Sequence, residues 1–215
     1  MKNCYLERDM ENLDKKNFRQ QMKKQINENL CCPLFSFAGK NALFHLENQE
    51  IYYKAHTILT FLPTSEEIET REIIENAEKR GKDVGVPLVL DGNQMEFRLL
   101  SKDIPLEDQI EEGAFGIREP KKNCLKWEPY KEVGPVLILV PGLAFSLNGK
   151  RLGKGKGFYD RFLSTLPPDL AVTKLGFCYS FQLNNSIPTQ IHDVQMDGLL
   201  TEKTLILFDN FEKTY

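Results

Sequence analysis

The feature that most constrains the fold is a continuous apolar run, Val136–Val140, in the second half of the chain. A strand with one face in water alternates apolar and polar residues, whereas a strand covered on both faces is apolar throughout. The run therefore predicts a strand inside a sheet that has helices on both sides. It is interrupted by Pro141-Gly142 and is far shorter than the roughly 20 residues that a membrane span needs, so we expect no membrane contact.

Helical and strand patterns alternate along the rest of the chain. Helices are predicted at 7–30 (ended by Pro33), weakly at 38–54, at 68–80 (ended by Gly81) and at 158–166. Strands are predicted at 57–62, 84–90, 95–100, 136–140, 171–179 and 204–208, with a hairpin turn at 91–93 and an irregular segment at 101–134. The alternation predicts an α/β fold, in which residues 1–215 form a single three-layer α/β/α domain with a mostly parallel central sheet.

Charge and cysteine usage restrict the possible partners. The net charge is −3, from 28 basic and 31 acidic residues, so no overall field favours a nucleic acid. The five cysteines include no C-x-x-C pair, and we expect the adjacent Cys31 and Cys32 to be reduced because a bridge between neighbours is strained. The first nine residues have no apolar core and thus no secretory signal. We expect a soluble, cytoplasmic protein.

A loop rich in glycine and lysine, 148–157, follows the buried strand and precedes a predicted helix. Its glycines leave backbone N–H groups free to turn toward an anion, and the start of the helix adds partial positive charge. The ligands of open α/β sheets bind at the carboxyl ends of the strands. Five basic side chains accompany the single acid Asp160: Lys150, Arg151, Lys154, Lys156 and Arg161. The residues therefore predict a polyphosphate site.

The spacing of the glycines in this loop does not match either of two known phosphate-binding motifs. A Walker A loop requires G-x-x-x-x-G-K-[ST], which does not occur here, and a Rossmann G-x-G-x-x-G fails because Phe158 stands at the third glycine. A solvated loop with incidental charge and a loop that binds single-stranded RNA both remain open. The second lacks a matching basic face elsewhere in the chain.

The segment Pro141–Asp160 resembles the 5-formyltetrahydrofolate cyclo-ligase family, whose pattern is P-G-[LV]-x-F-D-x-x-G-x-R-L-G-x-G-[GK]-G-[YF]-Y-D. The departures are Ser146, where the family often has Asp, and Phe158, where Tyr is commoner. Segments 15–19, 61–70, 115–120 and 192–197 resemble further family motifs in the same order. Residues 1–12 are an N-terminal extension that the pattern does not cover.

The resemblance implies an ATP- and Mg²⁺-dependent enzyme that closes 5-formyltetrahydrofolate, with or without a polyglutamate tail, to 5,10-methenyltetrahydrofolate. ATP would phosphorylate the formyl oxygen, nitrogen 10 would close the ring, and ADP and phosphate would leave. No protein nucleophile is needed, so catalysis would consist of positioning and charge stabilisation. We expect a monomer with a small-molecule substrate and no nucleic acid partner.

The resemblance also implies roles for individual residues. ATP would be bound by Lys15, Arg19, Arg151, Leu152, Gly153, Lys154, Gly155, Lys156, Gly157, Phe158 and Tyr159. The folate would be bound by Leu62, Glu67, Met95, Phe115, Lys154 and Phe158, and Mg²⁺ by Asp160 and Asp193. Lys154, Lys156 and Arg151 would stabilise the transferring phosphoryl group, with Tyr159 between the nucleotide and the folate.

The residues alone leave simpler interpretations open. Lys15 and Arg19 could be surface charge on one helix face, Glu67 a carboxylate at a helix start, and Asp160 a helix cap or ion-pair partner. Met95 and Phe115 could almost equally well be core residues. A non-catalytic nucleotide or RNA module, and a sugar-phosphate isomerase-like enzyme whose loop holds one phosphate, are the rival functions.

Overall fold

The computed structural model describes residues 2–31, 35–90, 94–113, 116–188 and 193–208, with residues 2–13 described by their backbone only. The helices are α1 (Lys2–Leu30), α2 (Ala38–Leu46), α3 (Glu50–Lys54), α4 (Arg71–Lys79), α5 (Leu106–Gln109) and α6 (Phe158–Ser164). The strands are β1 (Thr57–Leu59), β2 (Asp83–Leu90), β3 (Gln94–Leu99), β4 (Ile110–Glu112), β5 (Arg118–Pro120), β6 (Leu125–Lys126), β7 (Val136–Val140), β8 (Ala144–Phe145), β9 (Arg151–Leu152), β10 (Val172–Phe177), β11 (Gly198–Leu200) and β12 (Leu205–Leu207). Within these ranges no helix is both long and apolar enough to cross a membrane.

Eight strands form one sheet in the order β12-β11-β10-β7-β1-β2-β3-β6. The strands from β11 to β2 are parallel, and β12, β3 and β6 pair antiparallel toward the two edges. The mostly parallel sheet and the β2–β3 hairpin are confirmed. The predicted hairpin turn at 91–93 lies outside the described residues.

Alternate residues of β7 enter two different cores. Leu137 and Leu139 pack with residues of α2, α3 and α4, whereas Val136, Ile138 and Val140 pack with residues of α6. All five side chains are at most 1% exposed. Each face of the strand is covered by its own helical layer, which explains why the sequence here is apolar without alternation.

The helix α1 lies against the hairpin formed by β8 and β9. Its Met22 and Ile26 are each 1% exposed and join a third apolar cluster with Leu143, Leu152 and Ile187. The backbone of Leu143 bonds to that of Leu152 at 2.7 Å, which closes the hairpin. This packing places α1 beside the glycine-rich segment that follows β9.

Several predicted boundaries were wrong. The helix α1 begins at Lys2, the helical stretch 38–54 is divided into α2 and α3, α4 begins at Arg71, and α6 ends at Ser164. The segment 101–134 contains α5, β4, β5 and β6, and β11 was not predicted. These elements have two to four residues, too few to show a period, so pairing with neighbours determines them. Pro33 lies outside the described residues.

The strand β1 is also shorter than predicted, because it ends at Leu59. The next residue, Thr60, still donates its N–H to Gly85 O at 2.9 Å. The chain then leaves the sheet and turns at 64–67, where Glu67 N donates to Thr64 O at 3.0 Å. Glu67 therefore lies on a turn beyond the carboxyl edge of the sheet and four positions before α4 begins.

Candidate active site

The glycine-rich segment connects β9 directly to α6. Gly155 has a φ of 101° and Gly157, at the amino end of α6, has a φ of 67°. Residues other than glycine rarely adopt these backbone angles. Lys154 and Lys156 alternate with these glycines, and both side chains reach solvent. The segment thus presents two exposed cations between its glycines. The prediction of one continuous loop over 148–157 was wrong, because Arg151 and Leu152 form the buried strand β9.

The helix α1 brings one of its predicted ATP-binding residues to this loop and the other to Asp193. Arg19 donates from Nε to Gly153 O at 3.1 Å. One turn earlier, Lys15 Nζ lies 2.7 Å from Asp193 Oδ2, although the Lys15 side chain is only 6% exposed. Burial of a cation at this point requires an anionic partner. The alternative of bare helix-surface charge is wrong for both residues.

Arg151 is the most buried cation of the group, with a side chain 4% exposed. Its Nη2 lies 2.7 Å from Asp160 Oδ2, and its Nη1 donates to Pro141 O at 3.2 Å. Its Nε is buried and has no hydrogen-bond partner among the described residues. The guanidinium also lies 5.8 Å from the centre of the Tyr159 ring. One donor of a buried charge is thus left for an acceptor that the described residues do not supply.

The two predicted metal ligands are neighbours. Asp160 Oδ1 accepts from the backbone N–H of Val194 at 3.4 Å, and Val194 follows Asp193 directly. Across the described ranges, no group of three or more His, Cys, Asp or Glu side chains could hold a metal ion. Mg²⁺ is usually bound by one or two carboxylates together with water and substrate phosphates. Asp160 and Asp193 fit a site of that kind.

Glu67 lies across from the loop and contacts it. Its Oε1 is 2.8 Å from Lys154 Nζ, and its side chain is 13% exposed. Thr64 donates to its Oε2 from both the backbone N–H and the hydroxyl, each at 3.0 Å, and the Tyr179 hydroxyl donates to its backbone carbonyl at 3.3 Å. Leu62, predicted to contact the pterin, is 5% exposed and part of the core.

The apolar wall of this region comes from β3 and α6. Met95 and Tyr159 pack against the same cluster as Phe97, and the rings of Phe97 and Tyr159 meet edge to face at 6.4 Å. The Phe158 ring lies under Arg161, with 5.6 Å between the guanidinium and the ring centre. Phe115, the remaining predicted folate contact, lies outside the described residues.

The Tyr159 hydroxyl is buried and has no hydrogen-bond partner among the described residues. Burial raises its pKa well above the ordinary value, the charge of Glu67 raises it further, and Arg151 opposes both. The hydroxyl therefore keeps its proton and is a donor. An unpaired buried hydroxyl costs about 1–3 kcal/mol, which makes it a second group here that a bound molecule could satisfy.

A sequence profile of the 5-formyltetrahydrofolate cyclo-ligase family matches residues 11–202. This chain belongs to that family. Two similar relatives are a probable 5-formyltetrahydrofolate cyclo-ligase of Caenorhabditis elegans, 36% identical over 74% of this chain and 78% of that protein, and a 5-formyltetrahydrofolate cyclo-ligase of Mus musculus, 31% identical over 70% and 75%.

One solved structure agrees with the assignment to the cyclo-ligase family, and a second shares the fold. The 5,10-methenyltetrahydrofolate synthetase of Aquifex aeolicus superposes with a TM-score of 0.72 at 25% identity, over 94% of this chain and 96% of that one. The synthetase of Mycoplasma pneumoniae superposes with a TM-score of 0.63 over 88% and 99%, and at 21% identity it supports the fold alone.

Sequence reasoning missed two side chains that organise the site of this cyclo-ligase family member. Thr64 and Tyr179 hold Glu67. Arg161, one of the basic residues that the sequence pointed to, donates from Nη2 to Lys156 O at 2.8 Å. Thr64 and Glu67 have the T-x-x-E spacing of a capping box, a signal that could have drawn attention to Thr64. No local pattern connects Tyr179 with Glu67.

Proposed function

We propose that this protein is an ATP-dependent 5-formyltetrahydrofolate cyclo-ligase that forms 5,10-methenyltetrahydrofolate, ADP and phosphate. Membership of the family and the names of the relatives support the overall reaction. The observation that carries the proposal for this chain is the contact between Lys154 on the glycine-rich loop and Glu67 beyond β1, 2.8 Å apart. A nucleotide on the loop and a folate on Glu67 would meet at that point.

The nucleotide would occupy the side of the site built by the loop and α1. Lys154, Lys156 and Arg19 surround the glycines, and the unpaired Nε of Arg151 offers one more donor. Backbone amides and cations are the groups that stabilise a transferring phosphoryl group. Asp160 and Asp193 would hold Mg²⁺, which would neutralise part of the phosphate charge.

The folate would occupy the opposite side. The pterin has adjacent N–H donors that a carboxylate such as Glu67 can accept, and hydrogen bonds to charged groups contribute about 1.5–3 kcal/mol. Met95, on β3 beside α6, offers a soft apolar contact for a flat ring. The Tyr159 hydroxyl, buried and without a partner among the described residues, would lie between the two sides and would donate to an oxygen of one of the ligands.

The reaction balances without a protein nucleophile. The formyl oxygen on nitrogen 5 attacks the γ-phosphorus of ATP, and the bond to the β-phosphate oxygen breaks to release ADP. Nitrogen 10 then attacks the activated formyl carbon and loses its proton, and phosphate leaves with the former formyl oxygen. The protein would align the two substrates and stabilise the charge on the transferring group. Alignment alone can lower the activation barrier substantially.

The direct test is purified protein incubated with 5-formyltetrahydrofolate, with and without MgATP, while the absorbance of the methenyl product is followed. Product that forms only with MgATP is expected. Nucleotide binding without product would favour a binding module, and binding of a sugar phosphate without nucleotide would favour an isomerase-like enzyme. Either result would overturn the proposal.

A paired variant tests the phosphate side. Lys154→Ala with Lys156→Ala should raise KM for ATP about tenfold or more because two charge-assisted contacts are lost. Folding should be intact, since exposed charges contribute little to stability. Lys23→Ala with Lys40→Ala removes two exposed lysines elsewhere and serves as the control. An unchanged KM for ATP in the loop variant would show that Lys154 and Lys156 do not bind the phosphates of ATP.

A further inference from the structure

Thr64 holds one oxygen of the Glu67 carboxylate from two directions. The backbone N–H and the hydroxyl of Thr64 both donate to Glu67 Oε2, each at 3.0 Å. The Thr64 hydroxyl oxygen also lies 3.4 Å from Lys154 Nζ, and Lys154 Nζ lies 2.8 Å from Glu67 Oε1. Thr64 therefore contacts both charged groups at the junction of the two proposed subsites.

These contacts determine which oxygen of Glu67 faces a ligand. A carboxylate has about four acceptor positions, two on each oxygen. Thr64 fills both positions on Oε2, whereas Oε1 is contacted by Lys154 and keeps one position open. The carboxylate cannot rotate about its last bond without breaking the two bonds from Thr64. Oε1 is thus held toward the loop.

The hydroxyl is not needed to close the turn. In a capping box, the Thr hydroxyl accepts from the backbone N–H three residues later. Here Glu67 N donates to the carbonyl of Thr64 at 3.0 Å, and the hydroxyl donates to the carboxylate. Removal of the hydroxyl leaves the backbone bond of the turn in place and removes one of the two bonds to Oε2, so that the backbone N–H of Thr64 alone holds that oxygen of the Glu67 carboxylate.

We propose that Thr64 is a positioning residue of the folate subsite, which orients Oε1 of Glu67 for the pterin ring through its hydroxyl. The proposal rests on the proposed function, in which Glu67 binds the folate. In the proposed complex, Thr64 would contact neither the formyl oxygen nor the γ-phosphorus. Its effect passes through Glu67, so its loss should appear in folate binding and in KM for the folate more than in kcat.

The test compares Thr64→Val, which keeps the shape and removes the hydroxyl, with Thr64→Ser, which keeps the hydroxyl. Binding of 5-formyltetrahydrofolate is measured by calorimetry without ATP, so that no turnover occurs, and KM and kcat are measured with MgATP. Thr64→Val should weaken folate binding and raise its KM about tenfold, with KM for ATP within about twofold. Thr64→Ser should restore parental values. Thr64→Ala provides a second hydroxyl-free variant if valine disturbs the fold.

Thr57→Val is the matched control. Thr57 begins β1 and donates its hydroxyl to Glu132 Oε2 at 2.7 Å, away from the loop. The same substitution there should lower Tm and leave folate binding unchanged. A second check is Glu67→Gln combined with Thr64→Val, which should bind folate no worse than Glu67→Gln alone.

Each outcome has a distinct meaning. If Glu67→Gln loses folate affinity while Thr64→Val binds as the parent does, Thr64 only closes a turn and this proposal fails alone. The same holds if Thr64→Ser does not restore binding, or if the losses in the double variant add. If the parent protein binds no 5-formyltetrahydrofolate, the proposed function fails and this proposal fails with it.

Discussion

Lys154 Nζ lies 2.8 Å from Glu67 Oε1, so a cation proposed for phosphate and a carboxylate proposed for folate are paired with each other. The same pattern recurs twice. Lys15 pairs with Asp193, and Arg151 pairs with Asp160, each at 2.7 Å. Substrates bound as proposed would compete with these pairs. The affinity for one substrate would then depend on whether the other had already displaced the shared ion-pair partner.

Replacement of Glu67 tests this competition. Glu67→Gln removes the charge that the pterin would use and also releases Lys154. We expect folate affinity to fall about tenfold and affinity for a non-hydrolysable ATP analogue with Mg²⁺ to be equal or higher. Calorimetry with each ligand measures both effects. Glu66→Gln, one position earlier in the same turn, is the control, and a loss of nucleotide affinity in Glu67→Gln would contradict the expectation.

Asp160 has both a structural and a proposed metal role, and one variant separates them. Asp160→Asn keeps the shape but removes the charge that pairs with buried Arg151, so Tm should fall. If the carboxylate also binds Mg²⁺, the Mg²⁺ concentration for half-maximal activity should rise about tenfold. Asp197→Asn also alters an ion-paired aspartate, since Asp197 lies 3.6 Å from Lys174. It should leave the Mg²⁺ titration unchanged. If the Mg²⁺ titrations of Asp160→Asn and the parent overlap, Asp160 does not bind Mg²⁺ and only forms the ion pair with Arg151.

Tyr159→Phe should have opposite effects on stability and function. The buried hydroxyl has no partner among the described residues, so its removal should not lower Tm, because an unpaired buried hydroxyl costs about 1–3 kcal/mol. A ligand that accepts from it would lose that bond, and KM for the folate or for ATP should rise several-fold. Tyr52→Phe is the control, since the Tyr52 hydroxyl bonds to Asn76 Oδ1 at 2.8 Å. It should lower Tm and leave both KM values unchanged. A lower Tm with unchanged kinetics in Tyr159→Phe would refute the donor role.

Glu132 should make stability depend on acid pH. Burial alone would raise the pKa of this carboxyl, but hydrogen bonds from Trp127, Thr57 and His56 outweigh it and lower the pKa below its ordinary value of 4.5. A depressed pKa in the folded state contributes stability above the ordinary value, and this stability is lost as the pH falls through the folded value. Tm of the parent should therefore decline below about pH 4.5 more steeply than Tm of Glu132→Gln.

The comparison for that experiment is Glu128→Gln, because the Glu128 side chain is 46% exposed and pairs with the exposed Lys131 at 3.0 Å. Its pH profile should follow that of the parent. Equal slopes for the parent and Glu132→Gln would show that the cluster around Glu132 does not favour the ionised form.

Patterns of five or more residues predicted that an element was present, although several of the boundaries were wrong, whereas short elements depended on their neighbours. Both ends of the strand Val136–Val140 were predicted correctly. Its two faces are buried, and all five of its residues are therefore apolar. The strand β11 was missed because its three residues become a strand only through pairing with β10 and β12. For the same reason, the end of β1 and the turn at 64–67 could not be placed from β-propensity, which tertiary context overrides.

The sequence by itself determined the α/β class, the position of the glycine- and lysine-rich loop after a buried strand, and the order of motifs that resembles the cyclo-ligase family. Only the tertiary structure decided which distant residues meet. Thr64 and Lys154 are 90 positions apart, and Lys15 and Asp193 are 178 apart. Periodicity is a local property, whereas these contacts arise because β1 pairs between β2 and β7 and α1 packs on the hairpin beside the loop. Strand order and helix packing depend on the whole core, and they brought Thr64 to Glu67 and Lys154.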